Sequence, residues 1–242
     1  MIPALVGALR FLTVLPVPGS PAPPARSALF FPLVGAGLGW MGAVLFLFLR
    51  SAFPTAPAAL AAVAFWLLVT GALHEDGLAD VADAFRAGRP PERILAILKD
   101  SRIGSFGGAA LVLSVLFRWQ GVAHIPDPVP VRLAAALALS RGVIVALAWV
   151  ARPAGTGLGA SFLQQLTTPV ALAAIAQCVA AAFLTGLRMG VVLLALNALV
   201  VVNARSYFHR RIGGVNGDCL GAASQLSEML SLFLMTCRNC SW

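Results

Sequence analysis

Charge is scarce in this sequence. Asp, Glu, Lys and Arg make up 11% of the 242 residues, hydrophobic residues make up 60%, and the mean hydropathy is +0.90. Soluble domains carry about one quarter charged residues, so the composition excludes an ordinary soluble protein and predicts one that crosses a membrane several times. The apolar segments are continuous runs, whereas the strands of a membrane barrel alternate in polarity, so we expect helices.

Cysteine is also scarce, with four in the chain. Cys178 and Cys219 stand alone, while Cys237 and Cys240 form a C-x2-C pair. A structural zinc site needs about four ligands, and no second ligand pair accompanies this one. We therefore expect neither a metal site nor any other function at the pair.

The sequence shows no internal repeat, and we expect neither a second soluble domain nor a signal peptide. We expect residues 1–242 to form a single integral membrane domain. The first 19 residues are interrupted by Arg10 and lack both a basic start and a small-residue cleavage site. They predict an interfacial helix and not a signal peptide.

Long apolar runs, in contrast, are abundant. Seven of them approach the length of about 20 residues that is needed to cross a bilayer. They cover residues 28–49, 56–73, 104–124, 130–151, 168–185, 188–203 and 217–236. The predicted fold is an all-α polytopic membrane protein with about seven transmembrane helices plus short interfacial helices.

Basic residues are divided unevenly between the two sides that these spans define. Eleven lie on the side of the loop between the second and third spans: Arg10, Arg26, Arg86, Arg89, Arg93, Lys99, Arg102, Arg152, Arg205, Arg210 and Arg211. Five lie on the other side: Arg50, Arg118, Arg132, Arg188 and Arg238. By the positive-inside rule the first side is cytoplasmic, as expected in the cell inner membrane. The scattered basic residues, with no interleaved aromatic platform, argue against a nucleic-acid partner.

Acidic residues are concentrated: six of the nine fall between positions 75 and 100. A helix over 76–85 would place Asp80 at about +40° and Asp83 at about −20° from Asp76, on one stripe, with Glu75 about 100° away as a bystander. Three converging carboxylates need a cation, and an oxygen-only cluster suits Mg²⁺. A solvated acidic helix end is the alternative. His74 lies off the stripe.

A second element, KDSRIGSFGG (99–108), follows a short predicted helix opened by two prolines. The guanidinium of Arg102 and the free backbone N–H groups at Gly104 predict an anion site, flanked by Asp100 and Ser101. Close helix packing by the glycines, with an arginine that only sets topology, is the alternative.

A third element lies on the same side of the membrane. Gly214 and Gly217 belong to a flexible loop, and Asp218 begins the last span, where it could be a simple N-cap. Glu228 is also placed near the start of this span. Arg141 interrupts the fourth span, so we expect it to face the bundle interior with a carboxylate or phosphate partner.

Taken in order, these elements resemble the cobalamin synthase family, the adenosylcobinamide-GDP ribazoletransferases of bacterial vitamin B12 assembly. The likeness rests on HEDGLADVADAF (74–85), KDSRIGSFGG (99–108), GGVNGDCLGA (213–222), SRG (140–142) and FLTVLPVP (11–18). It covers nearly the full length. Asn216 stands where the family often has Thr, and Gln225 stands where it often has Glu, so Gln225 is left out of the predicted site.

The resemblance implies a reaction that joins adenosylcobinamide-GDP to α-ribazole or its 5′-phosphate and releases GMP, with Mg²⁺ as the usual metal. It also implies the roles of individual residues. The metal ligands would be Asp76, Asp80 and Asp83, with Asp83 either completing a second metal site or removing a hydroxyl proton. The catalytic group would be Asp83, His74 and Asp218. The substrate-binding group would be Arg102, Asp100, Ser101, Gly104, Gly214, Gly217 and Arg141.

Two other functions stay open. A CDP-alcohol phosphotransferase also uses an aspartate-rich helix and Mg²⁺, but its D-x2-D-G-x2-A-R spacing is absent because Ala79 is followed by Asp80. A transporter of divalent cations or corrinoids would place ionisable residues midway through several spans, where we expect only Arg141. The choice of acceptor, the number of metals and the formation of a homo-oligomer in the lipid bilayer also stay open.

Overall fold

A computed structural model describes residues 1–86, 88–100 and 102–237. Within these ranges the regular secondary structure consists of helices, which loops connect, and of one isolated bridge between Pro153 and Val215. A 3₁₀ turn, Ala28–Phe30, joins the second helix to the third. The helices are α1 (Ile2–Leu12), α2 (Pro24–Ser27), α3 (Phe31–Arg50), α4 (Thr55–Thr70), α5 (Leu73–Ala84), α6 (Pro91–Ile97), α7 (Ser105–Ala123), α8 (Val129–Val150), α9 (Leu158–Gln165), α10 (Thr168–Phe183), α11 (Leu187–Ile212) and α12 (Gly217–Met235).

The prediction of an all-α membrane protein is confirmed. Four segments are long and apolar enough to span a membrane: Pro24–Arg50, α7, α8 and α11. The number rises to six if two bent pairs, α4 with α5 and α9 with α10, are each counted as one span. We take the first four as the membrane-spanning segments. The predicted count of about seven is therefore approximate, although each predicted run coincides with a helix.

The last predicted span, α12, is long enough to cross a membrane but is not among these apolar helices. It carries Asp218 and Glu228, and its buried positions include Ser224, Gln225 and Ser227. Such a helix can lie in a membrane protein because its neighbours, and not lipid, surround its polar side chains. α12 contacts α5, α7, α8 and α11, so it lies inside the bundle.

α8 is the other central helix, and α3 packs closely against it. A Cβ atom at Gly35 would overlap the carbonyl of Leu137, and one at Gly39 would overlap the carbonyl of Leu133. Small residues allow this approach, and van der Waals contact between close backbones is a main source of helix association in lipid. The two glycines therefore fix one side of the bundle.

A sharp bend separates α4 from α5. Gly71 and Ala72 both adopt left-handed backbone conformations, with φ values of 61° and 55°, and the two helices differ in direction by 90°. After the bend, α5 runs alongside α7 in the opposite direction: Asp83 contacts the start of α7, while Glu75 reaches Arg118 about four turns further along. The bend thus inserts the acid-rich helix next to α7 and α12.

Candidate active site

The acidic stripe lies on α5, next to the first turn of α12. The helix predicted over 76–85 is present, with Asp76 exposed and Asp80 and Asp83 half-buried. Gly77 allows α12 to approach, because a Cβ atom there would lie 2.8 Å from the backbone carbonyl oxygen of Asp218. The structure therefore brings the stripe and Asp218, which are about 140 residues apart in the sequence, to one place.

These carboxylates repel one another. The pKa of Asp80 is raised to about 6, first by burial and then by the negative charges of Asp76, Asp218 and Asp83. The pKa of Asp218 is also raised, mainly by burial and in part by Asp76. In the described part of the chain, none of the four forms an ion pair with a basic side chain. Among the described residues, the cluster thus has no basic side chain paired with it that would neutralise its charge.

The donor set matches the chemistry of Mg²⁺, although the carboxylates do not form a ready cage. Among the described residues, no group of three or more His, Cys, Asp or Glu side chains is close enough to hold a metal ion. Mg²⁺ usually takes only one or two carboxylates and completes its shell with water and substrate phosphates. An oxygen-only cluster that is not neutralised and is partly open therefore fits a metal that keeps several waters, some of which substrate phosphates can replace.

Asp83 is held by the start of α7. Its Oδ2 accepts a hydrogen bond from the backbone N–H of Gly104, with 2.7 Å between nitrogen and oxygen. A Cβ atom at Gly104 or Gly107 would overlap the same carboxylate. The anion at the predicted Gly104 site is thus the protein's own Asp83.

Arg102 is exposed and pairs with Asp100. Its Nη2 lies 2.6 Å from Oδ2 of Asp100, and its Nε also donates to this carboxylate. Hydrogen bonds from Arg102 lower the pKa of Asp100 to about 2. An exposed ion pair contributes little to stability, so a phosphate can replace the carboxylate as the partner of Arg102. Ser101, also predicted here, lies outside the described residues, as does Cys240 of the C-x2-C pair.

The third element is organised by Asn216. Its side chain accepts a hydrogen bond from the N–H of Cys219 over 3.0 Å and donates to Oδ2 of Asp218 over 2.8 Å. Asn216 is therefore the N-cap of α12, and the alternative interpretation of Asp218 as that cap is wrong. Gly214 packs against the backbone of Arg152 and Pro153, whereas Gly217 begins α12 with no neighbour at its Cβ position.

A buried group of charges lies deeper in the bundle. We use the name ion-pair quartet for Glu75 on α5, Arg118 on α7, Arg141 on α8 and Glu228 on α12. Nη1 of Arg118 lies 2.7 Å from Glu75 and 3.3 Å from Glu228, and Arg141 pairs with the other oxygen of Glu228. Each of the four side chains is at most 3% exposed. The predicted carboxylate partner of Arg141 is thus Glu228, and its guanidinium faces the protein.

The quartet corrects three sequence-based predictions. Glu75 is not a bystander, because it is buried and paired with Arg118. Arg118 was counted among the basic residues of the outer side, but its guanidinium is buried in the bundle and paired with Glu75 and Glu228. Glu228 lies in the middle of α12 and not near its start. The argument against a transporter, that only Arg141 lies inside a span, is therefore also wrong.

A signal for these residues was present in the sequence. Arg118 and Glu228 each interrupt a predicted span, and an ionisable residue at such a position is costly unless it has a partner. His74 is buried close to them, and in the described structure neither of its ring nitrogens has a hydrogen-bond partner. Its predicted catalytic role would thus require that a substrate reach a buried imidazole.

The chain matches known proteins over most of its length. The sequence model of the cobalamin-5-phosphate synthase family matches residues 4–236. A protein of Vibrio parahaemolyticus called adenosylcobinamide-GDP ribazoletransferase is 36% identical over 233 residues, which cover 92% of this chain and 88% of that protein. A protein of the same name from Geotalea daltonii is 38% identical over 234 residues, 94% of each chain. One from Ralstonia nicotianae is 36% identical over 250 residues, 94% of this chain and 92% of the other. No solved structure matches.

Proposed function

Because the chain belongs to the cobalamin-5-phosphate synthase family, we propose that it joins adenosylcobinamide-GDP to α-ribazole or its 5′-phosphate and releases GMP. The family match confirms the resemblance indicated by the motifs, and relatives that carry the enzyme's name identify a transferase of cobalamin biosynthesis. We further propose that the reaction depends on Mg²⁺ and takes place on the cytoplasmic side of the inner membrane.

One observation supports this site above all others: carboxylates from α5 and α12 meet, and no basic side chain in the described ranges pairs with them. Asp80 is close enough to Asp76, Asp83 and Asp218 for their charges to raise its pKa. Such a cluster is unfavourable by itself and becomes favourable when a divalent cation binds. The start of α7 lies against Asp83 and the start of α12 against Gly77, so both helices begin beside the acidic stripe of α5, in keeping with one reaction centre.

In the proposed reaction, Asp76 and Asp80 would hold the metal beside the carboxylate of Asp218, and the metal when bound would supply positive charge to the diphosphate. A ribose hydroxyl attacks the phosphorus on the cobinamide side, and negative charge develops on the departing GMP. Arg102 exchanges Asp100 for a phosphate oxygen and stabilises this charge. Asp83 is oriented by the Gly104 N–H and accepts the hydroxyl proton with its free oxygen.

The experiment is an incubation of the purified protein with adenosylcobinamide-GDP, α-ribazole and Mg²⁺, with detection of GMP and of the joined product. We expect both in equal amounts. Release of CMP from a CDP-alcohol under the same conditions would instead support a phospholipid-type transferase. Uptake of Mg²⁺ or corrinoid into proteoliposomes without GMP would support a transporter, and either result would contradict the proposal.

A further inference from the structure

The ion-pair quartet connects four helices at one level of the bundle. Arg118 lies between Glu75 and Glu228, and Glu228 in turn lies between Arg118 and Arg141. Nη1 of Arg141 also donates a hydrogen bond to Oγ of Ser140 over 2.6 Å. The contacts run without interruption from α5 through α7 and α12 to α8. The quartet is therefore one unit, and α5 is attached to it through Glu75 alone.

The quartet contains two carboxylates and two guanidinium groups, so its charges balance. The hydrogen bonding of the quartet is less complete than its charge balance. Nε and Nη2 of Arg118 and Nε of Arg141 have no hydrogen-bond partner among the described residues. Removing one partner of a buried pair leaves an uncompensated charge and is strongly destabilising, whereas replacing both partners is often neutral. A buried ion pair is thus weak evidence for stability, and the quartet requires another explanation.

The position of Glu75 on α5 suggests what the quartet does. Glu75 precedes Asp76 in the chain and projects about 100° away from the acidic stripe. A side chain fixed at that angle prevents α5 from rotating about its own axis, and this rotation decides where Asp76 and Asp80 point. α5 also packs against α12 at Gly77 and is tied to α7 at Asp83. Glu75 adds a charged contact near the other end of this 12-residue helix, one residue before Asp76.

We propose that Glu75 and Arg118 are positioning residues, which fix the rotation of α5 and so hold the acidic stripe in its metal-binding orientation. The proposal rests on the proposed function insofar as the stripe binds a metal. It assigns to the quartet an effect on metal affinity and turnover that is separate from its effect on folding.

The test uses Glu75→Gln, Arg118→Gln and the double variant, in which the buried charges balance again. The matched control is Ser114→Ala, which breaks the neutral hydrogen bond of 3.2 Å between α7 and Gln225 at a fully buried position. Three quantities are measured on the purified proteins: the melting temperature, the affinity for Mn²⁺ by electron paramagnetic resonance without substrates, and the rate of GMP release.

We expect each single charge variant to melt below the wild type and the double variant to recover most of the loss. The Mn²⁺ affinity should nevertheless stay about tenfold or more below that of the wild type in the double variant, as when a partner that orients a metal ligand is lost. Ser114→Ala should change this affinity by less than about twofold, the scale of an indirect effect. A double variant that melts like the wild type and also binds Mn²⁺ and turns over like it would overturn the proposal.

Two further outcomes are decisive. If Glu75→Gln does not accumulate as folded protein, the Mn²⁺ affinity of the double variant is compared with that of the wild type, because the buried charges of the double variant balance. If the wild type binds Mn²⁺ but releases no GMP, the proposed reaction fails and the Mn²⁺ comparison still decides the positioning role. Absence of Mn²⁺ binding by the wild type would overturn the positioning role.

Discussion

The carboxylate of Asp83 accepts the backbone N–H of Gly104 across 2.7 Å, which ties the end of α5 to the start of α7. Gly104 lies just before the first residue of α7, where backbone N–H groups have no partner within the helix. The contact therefore gives α7 a carboxylate at its positive end and gives Asp83 a fixed orientation. Gly104 and Gly107 are needed because the carboxylate of Asp83 lies where their side chains would be.

Gly107→Ala should lower the rate of GMP release, because the new methyl group would overlap Asp83. A displacement of about 1 Å at a reacting group can reduce the rate by about 100-fold. The matched control is Gly108→Ala, whose Cβ atom would have no neighbour within 4 Å. The measurement is the turnover number of both variants, and equal rates would show that Asp83 need not stay where the structure places it.

Two substitutions of Asn216 separate its cap from its contact with Asp218. Asn216→Ala removes both and should cost about 1 kcal/mol of stability, as lost N-caps do. Asn216→Ser keeps an acceptor for the N–H of Cys219 but removes the amide N–H that donates to Oδ2 of Asp218, so the pKa of Asp218 should rise further in both variants. Unfolding midpoints and pH–rate profiles measure the two effects. A serine variant with the wild-type pH profile would contradict the contribution of this hydrogen bond.

Metal binding should weaken as the pH falls through about 6. Because the pKa of Asp80 is raised to about 6 in the metal-free protein, this side chain is protonated below that pH and ionised above it. Protons and Mg²⁺ then compete, and the affinity should fall by up to about tenfold for each pH unit below the pKa. Calorimetric titration between pH 5 and 8 measures this.

Asp76→Asn tests whether neighbouring negative charges raise the pKa of Asp80, as this pH dependence requires. It removes one of the negative charges that raise the pKa of Asp80, so the midpoint of the pH dependence should move to lower pH. An Mg²⁺ affinity that does not change between pH 5 and 7 in the wild type would contradict the assigned ionisation.

The contact between α3 and α8 should depend on Gly39. Gly39→Ala would place a methyl group on the carbonyl of Leu133, and such overpacking typically costs about 1–3 kcal/mol. Gly37→Ala, two residues away on the same helix, would meet nothing within 4 Å. Both changes alter helix propensity equally, so the difference between their unfolding midpoints isolates the packing effect. A zero difference would contradict the close approach of the two helices.

Much of the fold could be predicted from the sequence because most of the helices have a local signal. The apolar runs mark most helices to within a few residues, although α11 continues nine residues beyond the run predicted over 188–203, and α9 was not predicted. The spacing of Asp76, Asp80 and Asp83 is enough to place them on one face of α5. The bend before α5 has no such signal, because Ala72 rarely adopts positive φ and does so here only in the context of the folded bundle.

Contacts between helices were harder to predict. Glu75 and Arg118 are 43 residues apart, and periodicity shows which way a side chain projects without showing which helix it meets. The direction of Glu75 away from the stripe could be deduced, but its partner could not. Because Arg118 was counted among the basic residues that set the topology, it was not considered as the partner that Glu75 requires.

The central claim is that a divalent metal on the α5 stripe drives the release of GMP. It is tested most directly by measuring GMP release at pH 8 over a range of Mg²⁺ concentrations for the wild type and for Asp80→Asn. The wild-type rate should saturate with Mg²⁺, whereas the variant should stay at least about 100-fold slower at every concentration, a loss expected when a ligand of the reacting centre is removed. A variant that reaches the wild-type rate at every concentration would contradict the account.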